Sequence, residues 1–86
     1  MASREDLEDW VYEALCHQGG EASLLDVAKY IWDEHENELR ASSNLFYTWQ
    51  CDMRWAAQRL RDKGKLVDAN LAPRGVWAVV QSRGSG

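Results

Sequence analysis

Residues 49–80 read WQCDMRWAAQRLRDKGKLVDANLAPRGVWAVV, and the order of signals along this stretch decides the fold. On a helical projection Trp49, Met53, Ala56 and Leu60 share one face, with Ala57 at its edge, so the stretch opens as an amphipathic helix. Gly64 stops it. Lys65-Leu66-Val67 follows as a short strand, Asp68 to Gly75 (DANLAPRG) as a loop with a Pro-Arg-Gly turn, and Val76 to Val80 (VWAVV) as a second strand rich in β-formers. The two strands are expected to pair as an antiparallel hairpin. VWAVV is too apolar and β-branched to be left in water, which argues against a plain three-helix bundle with an unstructured C-terminus.

Two more helices precede this stretch. Ser3 and Asp6 resemble a capping box, and Glu5, Asp6, Glu8 and Asp9 complement the positive end of a helix dipole. Leu7, Val11, Ala14 and Leu15 recur at helical spacing beside Trp10, and Gly19-Gly20 ends a helix begun near Arg4. GGEA (19–22) is a connector with room for a short extended piece. Ser23 with Asp26 offers a second N-cap, and Leu24, Val27, Ala28, Ile31 and Trp32 form the apolar stripe of a helix reaching about Leu39. Its far end, HENELR (35–40), is a poor core segment and is expected to project or fray. ASSN (41–44) is a loop, and Leu45-Phe46-Tyr47 lead into the third helix. The expected fold class is therefore α+β: a winged helix-turn-helix, three helices followed by a C-terminal two-stranded antiparallel wing. That order excludes a βαβ fold and an all-β sandwich.

Eighty-six residues suit one domain, expected over 1–81, with SRGSG (82–86) as a flexible tail. A hydrophobic fraction of 45% and five tryptophans supply a core. No apolar run approaches the roughly 18–20 residues of a membrane span, and the acidic N-terminus has no signal-peptide core, so a cytoplasmic location without membrane contact is expected. Cys16 and Cys51 lie far apart and outside any CxxC spacing, which fits reduced thiols. Cys16, His17, His35 and Cys51 could supply four zinc ligands, but no spacing supports such a site and none is expected. There is no phosphate-binding glycine loop and no paired nucleophile and base, so no catalytic residue, cofactor or small-molecule substrate is expected.

The net charge of −4 conceals a split. Residues 1–43 hold three basic side chains against eleven acidic ones, a balance of −8, while residues 44–86 hold seven against three, a balance of +4. Such asymmetry points to one face meeting a polyanion. The outward face of the third helix, opposite the Trp49/Met53/Leu60 stripe, holds Tyr47, Cys51, Arg54, Trp55 and Gln58, with Gln50 and Arg61 at the flank. Arginine and glutamine on an exposed helix can read guanine and adenine edges in a major groove. The plain alternative is that Arg54, Gln58 and Arg61 form an ordinary solvated face. Lys63 and Lys65, flanking Gly64, and Arg74 at the loop tip would attract phosphate. Trp55 lies off the core stripe and needs a partner: Trp77 of the hairpin, another protein or a nucleic acid, with packing inside the domain the favoured outcome.

The run RWAAQRLRDKGKLV and then PRGVWAVV resembles the N-terminal winged-helix (Mrr-N-like) domain of Mrr-type restriction endonucleases. The residues that carry the likeness are Trp55-Ala56, Leu60, Lys63-Gly64, Leu66 and Arg74-Gly75-Val76-Trp77. The resemblance covers about residues 5–80 and is specific from Met53 onward. It implies a DNA-binding domain of an enzyme whose nuclease domain is separate, hence a binding module without cleavage. Double-stranded DNA is the expected partner, met by Tyr47, Gln50, Arg54, Gln58, Arg61, Lys65 and Arg74. The alternative is a protein–protein adaptor that uses the acidic first two helices or an exposed aromatic patch.

Overall fold

The structure, a computed structural model, describes residues 3–42, 44–68 and 75–80. In chain order it contains α1 (Arg4–His17), β1 (Glu21–Ser23), α2 (Leu24–Arg40), α3 (Leu45–Asp62) and β2 (Val76–Ala78). Local chemistry starts the first two helices. The Asp6 carboxylate accepts the Ser3 N–H (2.9 Å), and Ser23 Oγ accepts the Asp26 N–H (3.1 Å).

The stops of α1 and α3 share one construction. Gly20 N–H donates to the Leu15 carbonyl (2.8 Å) and Gly19 N–H to Cys16 (3.3 Å); Lys65 N–H donates to Leu60 (2.8 Å) and Gly64 N–H to Arg61 (2.9 Å). This double fold-back needs a left-handed residue after the last turn, supplied by Gly19 (φ 89°) and Gly64 (φ 79°). A Cβ at either glycine would meet nothing within 4 Å. Backbone conformation, and not close packing, is what requires glycine there.

The apolar stripes read from the sequence build one core. Leu7, Val11, Ala14 and Leu15 of α1, Val27 and Ile31 of α2, and Trp49, Met53, Ala56, Ala57 and Leu60 of α3 are all buried. The end of α2 departs from expectation, because residues 35–40 stay helical and Leu39 is fully buried. The helix carries a break at His35 (φ −129°, ψ 20°) and continues beyond it. At about 100° per residue Leu39 falls between Ala28 and Trp32, within the apolar stripe, and packing of the segment against the domain buries it. Ser42 Oγ then donates to the Glu38 carbonyl (2.7 Å), and Arg40 pairs with Glu36 (2.6 Å).

The sheet also differs from the hairpin expectation in its main partner. β2 pairs antiparallel with β1, in the register Glu21↔Ala78, Ala22↔Trp77 and Ser23↔Val76. Residues 65–67 flank the other side of the 76–80 segment through a single bridge, Leu66↔Val79, with Val67 N–H to Ala78 (2.8 Å) and Val80 N–H to Lys65 (2.9 Å). The 76–80 segment is thus central, which explains its apolar composition: Trp77 and Val79 face the core with Ala22 and Leu66. The Pro73-Arg74 turn lies outside the described residues. Among the described residues no helix is long and apolar enough to cross a membrane.

Candidate nucleic-acid interface

Helix α3 presents two exposed sides around its buried stripe. The outward side carries Tyr47, Gln50, Arg54 and Gln58, all exposed and within about 80° of arc at 100° per residue. Tyr47 is 83% exposed, with its ring edge-to-face against Phe46 (centroids 5.1 Å apart). Gln58 Nε2 donates to the Asp62 carboxylate one turn on (3.0 Å). Among the described residues Gln50 and Arg54 have no hydrogen-bond or ion-pair partner. They are the side chains on this helix best placed to accept an outside one.

The other sequence-derived candidates divide. Arg61 is half-buried, and its Nε donates to the Val67 carbonyl (3.3 Å), fastening the end of α3 to the 65–67 segment. Lys65 is exposed, with Nζ 5.5 Å from the Tyr12 ring centroid, a weak cation–π contact that leaves its other donors to solvent. Arg74 lies outside the described residues.

The side of α3 that faces α1 uses its charge internally. Glu8 of α1 is only 5% exposed and receives hydrogen bonds from Arg59 Nε (3.1 Å) and Lys63 Nζ. The Lys63 bond, assisted by that of Arg59 and by the charge of both, holds the Glu8 carboxyl below its ordinary value of 4.5, against the opposing effect of burial. Two of the cations behind the +4 balance therefore neutralise a carboxylate of the same domain. The expected phosphate attraction by Lys63 gives way to this ion pair. The clue was in the sequence: Glu8 precedes Leu15 by seven residues and so sits on the margin of the α1 stripe.

Trp55 finds its partner on the same side. The Arg4 guanidinium lies 4.2 Å from its ring centroid and that of Arg59 lies 5.3 Å away, so the half-buried indole is covered within the domain by α1 and not by Trp77. His35 stacks on Trp10 (centroids 4.1 Å apart, planes 10° apart), with Glu13 and Glu38 each 3.5 Å from a ring nitrogen. Tyr30 donates its hydroxyl to the same Glu13 (2.8 Å), and that hydrogen bond pushes the phenol up to about 12. Cys16 and Cys51 are exposed free thiols, and no group of three or more metal-ligating side chains converges among the described residues.

Among the described residues, unpaired polar side chains and exposed apolar surface come together on the outward side of α3 and in the hollow beside it towards α2. Compared with known proteins, the chain matches no family model, no curated protein and no solved structure.

Proposed function

We propose that this chain is a small winged-helix module that binds duplex DNA without cutting it, with the outward side of α3 in the major groove. The observation that carries this reading is the pair Gln50 and Arg54, one turn apart on an exposed helix face and bonded to nothing among the described residues. Arg54 has the fork that reads guanine, and Gln50 and Gln58 have the amide that reads adenine. Tyr47 and Gln50 lie towards the N-terminal part of α3, the part of a recognition helix that usually reaches bases. Lys65 is assigned to phosphate on its exposure, and Arg74 on the sequence alone.

The element order supports this reading. Helix, strand, helix, helix and two further extended segments, the last running between the other two, is the order of a winged helix, in which α3 would be the recognition helix. The resemblance of residues 53–77 to the DNA-binding domain of Mrr-type endonucleases points the same way. Titrating duplex DNA at low salt into isotope-labelled protein tests the reading. The amide signals of Tyr47, Gln50, Arg54, Gln58 and Lys65 are expected to move, and affinity to fall with salt at a log–log slope of about −2 for the two phosphate-bound cations, Lys65 and Arg74. If those amides stay still while DNA is in excess, the assignment is wrong.

A further inference from the structure

A groove runs between α2 and α3 beside Gln50. One part, about 540 Å³, has Trp32 of α2 and Phe46 and Trp49 of α3 for its floor, with Lys29 and Asp33 on the rim. The next part, about 470 Å³, continues past Met53 and Cys51 to Arg54. Leu25, Ala28 and Gln50 line both parts, so the two are one continuous trough. Its floor is aromatic, with Trp32 stacked on Trp49 (centroids 6.0 Å apart) and tilted against Phe46 (6.4 Å). Leu25 stands over it 62% exposed. A large aliphatic side chain left in water beside an aromatic trough marks a place where another apolar surface sits.

Charge says what kind of surface. Among the described residues, Arg40 pairs with Glu36, Arg59 and Lys63 pair with Glu8, and Arg61 bonds the Val67 carbonyl. Arg4 and Lys65 lie over the rings of Trp55 and Tyr12. Lys29 and Arg54 are the two cations left without any of these contacts, and both rim the trough. Among the described residues, these two unpaired cations flank the exposed apolar channel.

We propose that this groove docks an amphipathic helix of a partner protein, with apolar anchors on its buried side and carboxylates beside them that meet Lys29 and Arg54. A phosphate backbone has no apolar face to lay on Leu25, Trp32 and Phe46. Because Gln50 and Arg54 line the groove, an occupant covers side chains assigned above to DNA, so the docked helix and duplex DNA exclude each other. That last consequence alone rests on the DNA reading.

Selection of a phage-displayed library of amphipathic helices of about four turns, with anchors and charges randomised, tests the proposal on the full chain. The enriched sequences are expected to carry Asp or Glu beside Leu, Phe or Trp at helical spacing. A synthetic peptide of that sequence is expected to bind by fluorescence anisotropy. Leu25→Gln, or Lys29→Glu and Arg54→Glu together, should weaken it about tenfold, while Leu25→Gln, an exposed position, keeps the parent's melting curve. Absence of enrichment, enrichment of basic or charge-indifferent helices, or undiminished binding to Leu25→Gln overturns it. Duplex DNA added to the complex tells the two readings apart. Displacement of the peptide supports mutual exclusion, and a ternary complex refutes it. DNA that binds in neither case defeats the DNA reading, while the peptide results still decide the groove.

Discussion

The two exposed sides of α3 spend similar residues differently. Facing α1, Arg59 and Lys63 close on the buried Glu8, and Arg4 and Arg59 cover Trp55. Facing outward, Arg54 and Gln50 are bonded to nothing among the described residues, and Leu25 and Tyr47 stand in solvent. One side is satisfied within the domain; the other keeps hydrogen-bonding and apolar capacity unused. The difference teaches that a count of basic residues says little about binding until the carboxylates that already hold them are subtracted.

The sharpest test of this contrast uses neighbouring residues. Met53→Ala, on the buried stripe, is expected to lower stability by about 3 kcal/mol, as deletion of a buried side chain does. Arg54→Ala should leave the unfolding free energy in urea within about 0.5 kcal/mol of the parent, because a solvated side chain contributes little to folding. It should nevertheless weaken duplex DNA about tenfold. If Arg54→Ala destabilises as much as Met53→Ala, the outward side is structural and the contrast collapses.

Breaking the α1 side comes next in size. Glu8→Gln is expected to cost about 1–2 kcal/mol in urea unfolding, less than a fully buried pair because Arg59 and Lys63 are half-exposed. The effect depends on pH with a definite sign. Glu8 is held below 4.5 in the folded protein, so its contribution is present above 4.5 and fades as pH falls through the folded value. Parent and Glu8→Gln curves should therefore converge in acid; parallel curves would mean the ion pair is energetically idle. The same variant releases Arg59 and Lys63, and should steepen the salt dependence of DNA binding if those cations can reach phosphate.

The smallest effect lies at high pH. Tyr30, pushed up to about 12 from 10.0 by its bond to Glu13, contributes stability that is complete below pH 10 and lost as pH climbs towards 12. An absorbance titration at tyrosinate wavelengths should show a late-ionising phenol that disappears in Tyr30→Phe. Persistence of that late step in the variant would assign it elsewhere.

Much of the architecture was legible because it is written in local chemistry. The stripe Trp49, Met53, Ala56 and Leu60 has helical period, the Gly64 stop announces itself, and VWAVV reads as a strand. What misled the reading was short or non-local. Glu21-Ala22-Ser23 is three small or charged residues with no strand signal, yet it is the chief partner of residues 76–78. Leu39 sits in the polar-looking HENELR segment, yet it is fully buried beyond the His35 break. Of the candidate binding residues, the sequence put Tyr47, Arg54 and Gln58 on one outward face with Trp55, and Gln50 and Arg61 at its flank; the structure keeps Tyr47, Gln50, Arg54 and Gln58 exposed together and turns Trp55 towards α1. It had no means of seeing that the Arg61 donor is taken by a carbonyl six residues on.

The sequence by itself determined the helices, two of their stops, the apolar face of each and the chemical character of the outward side of α3. Periodicity, capping and glycine conformation are properties of a few consecutive residues, and they survive any arrangement of the whole. Only the tertiary structure decided which charges remain free. Glu8 meets Arg59 and Lys63 across 51 and 55 residues of chain. Whether a cation is neutralised depends on what packing brings within about 4 Å of it, where Coulomb attraction and hydrogen bonding outweigh solvation, and no local pattern carries that distance.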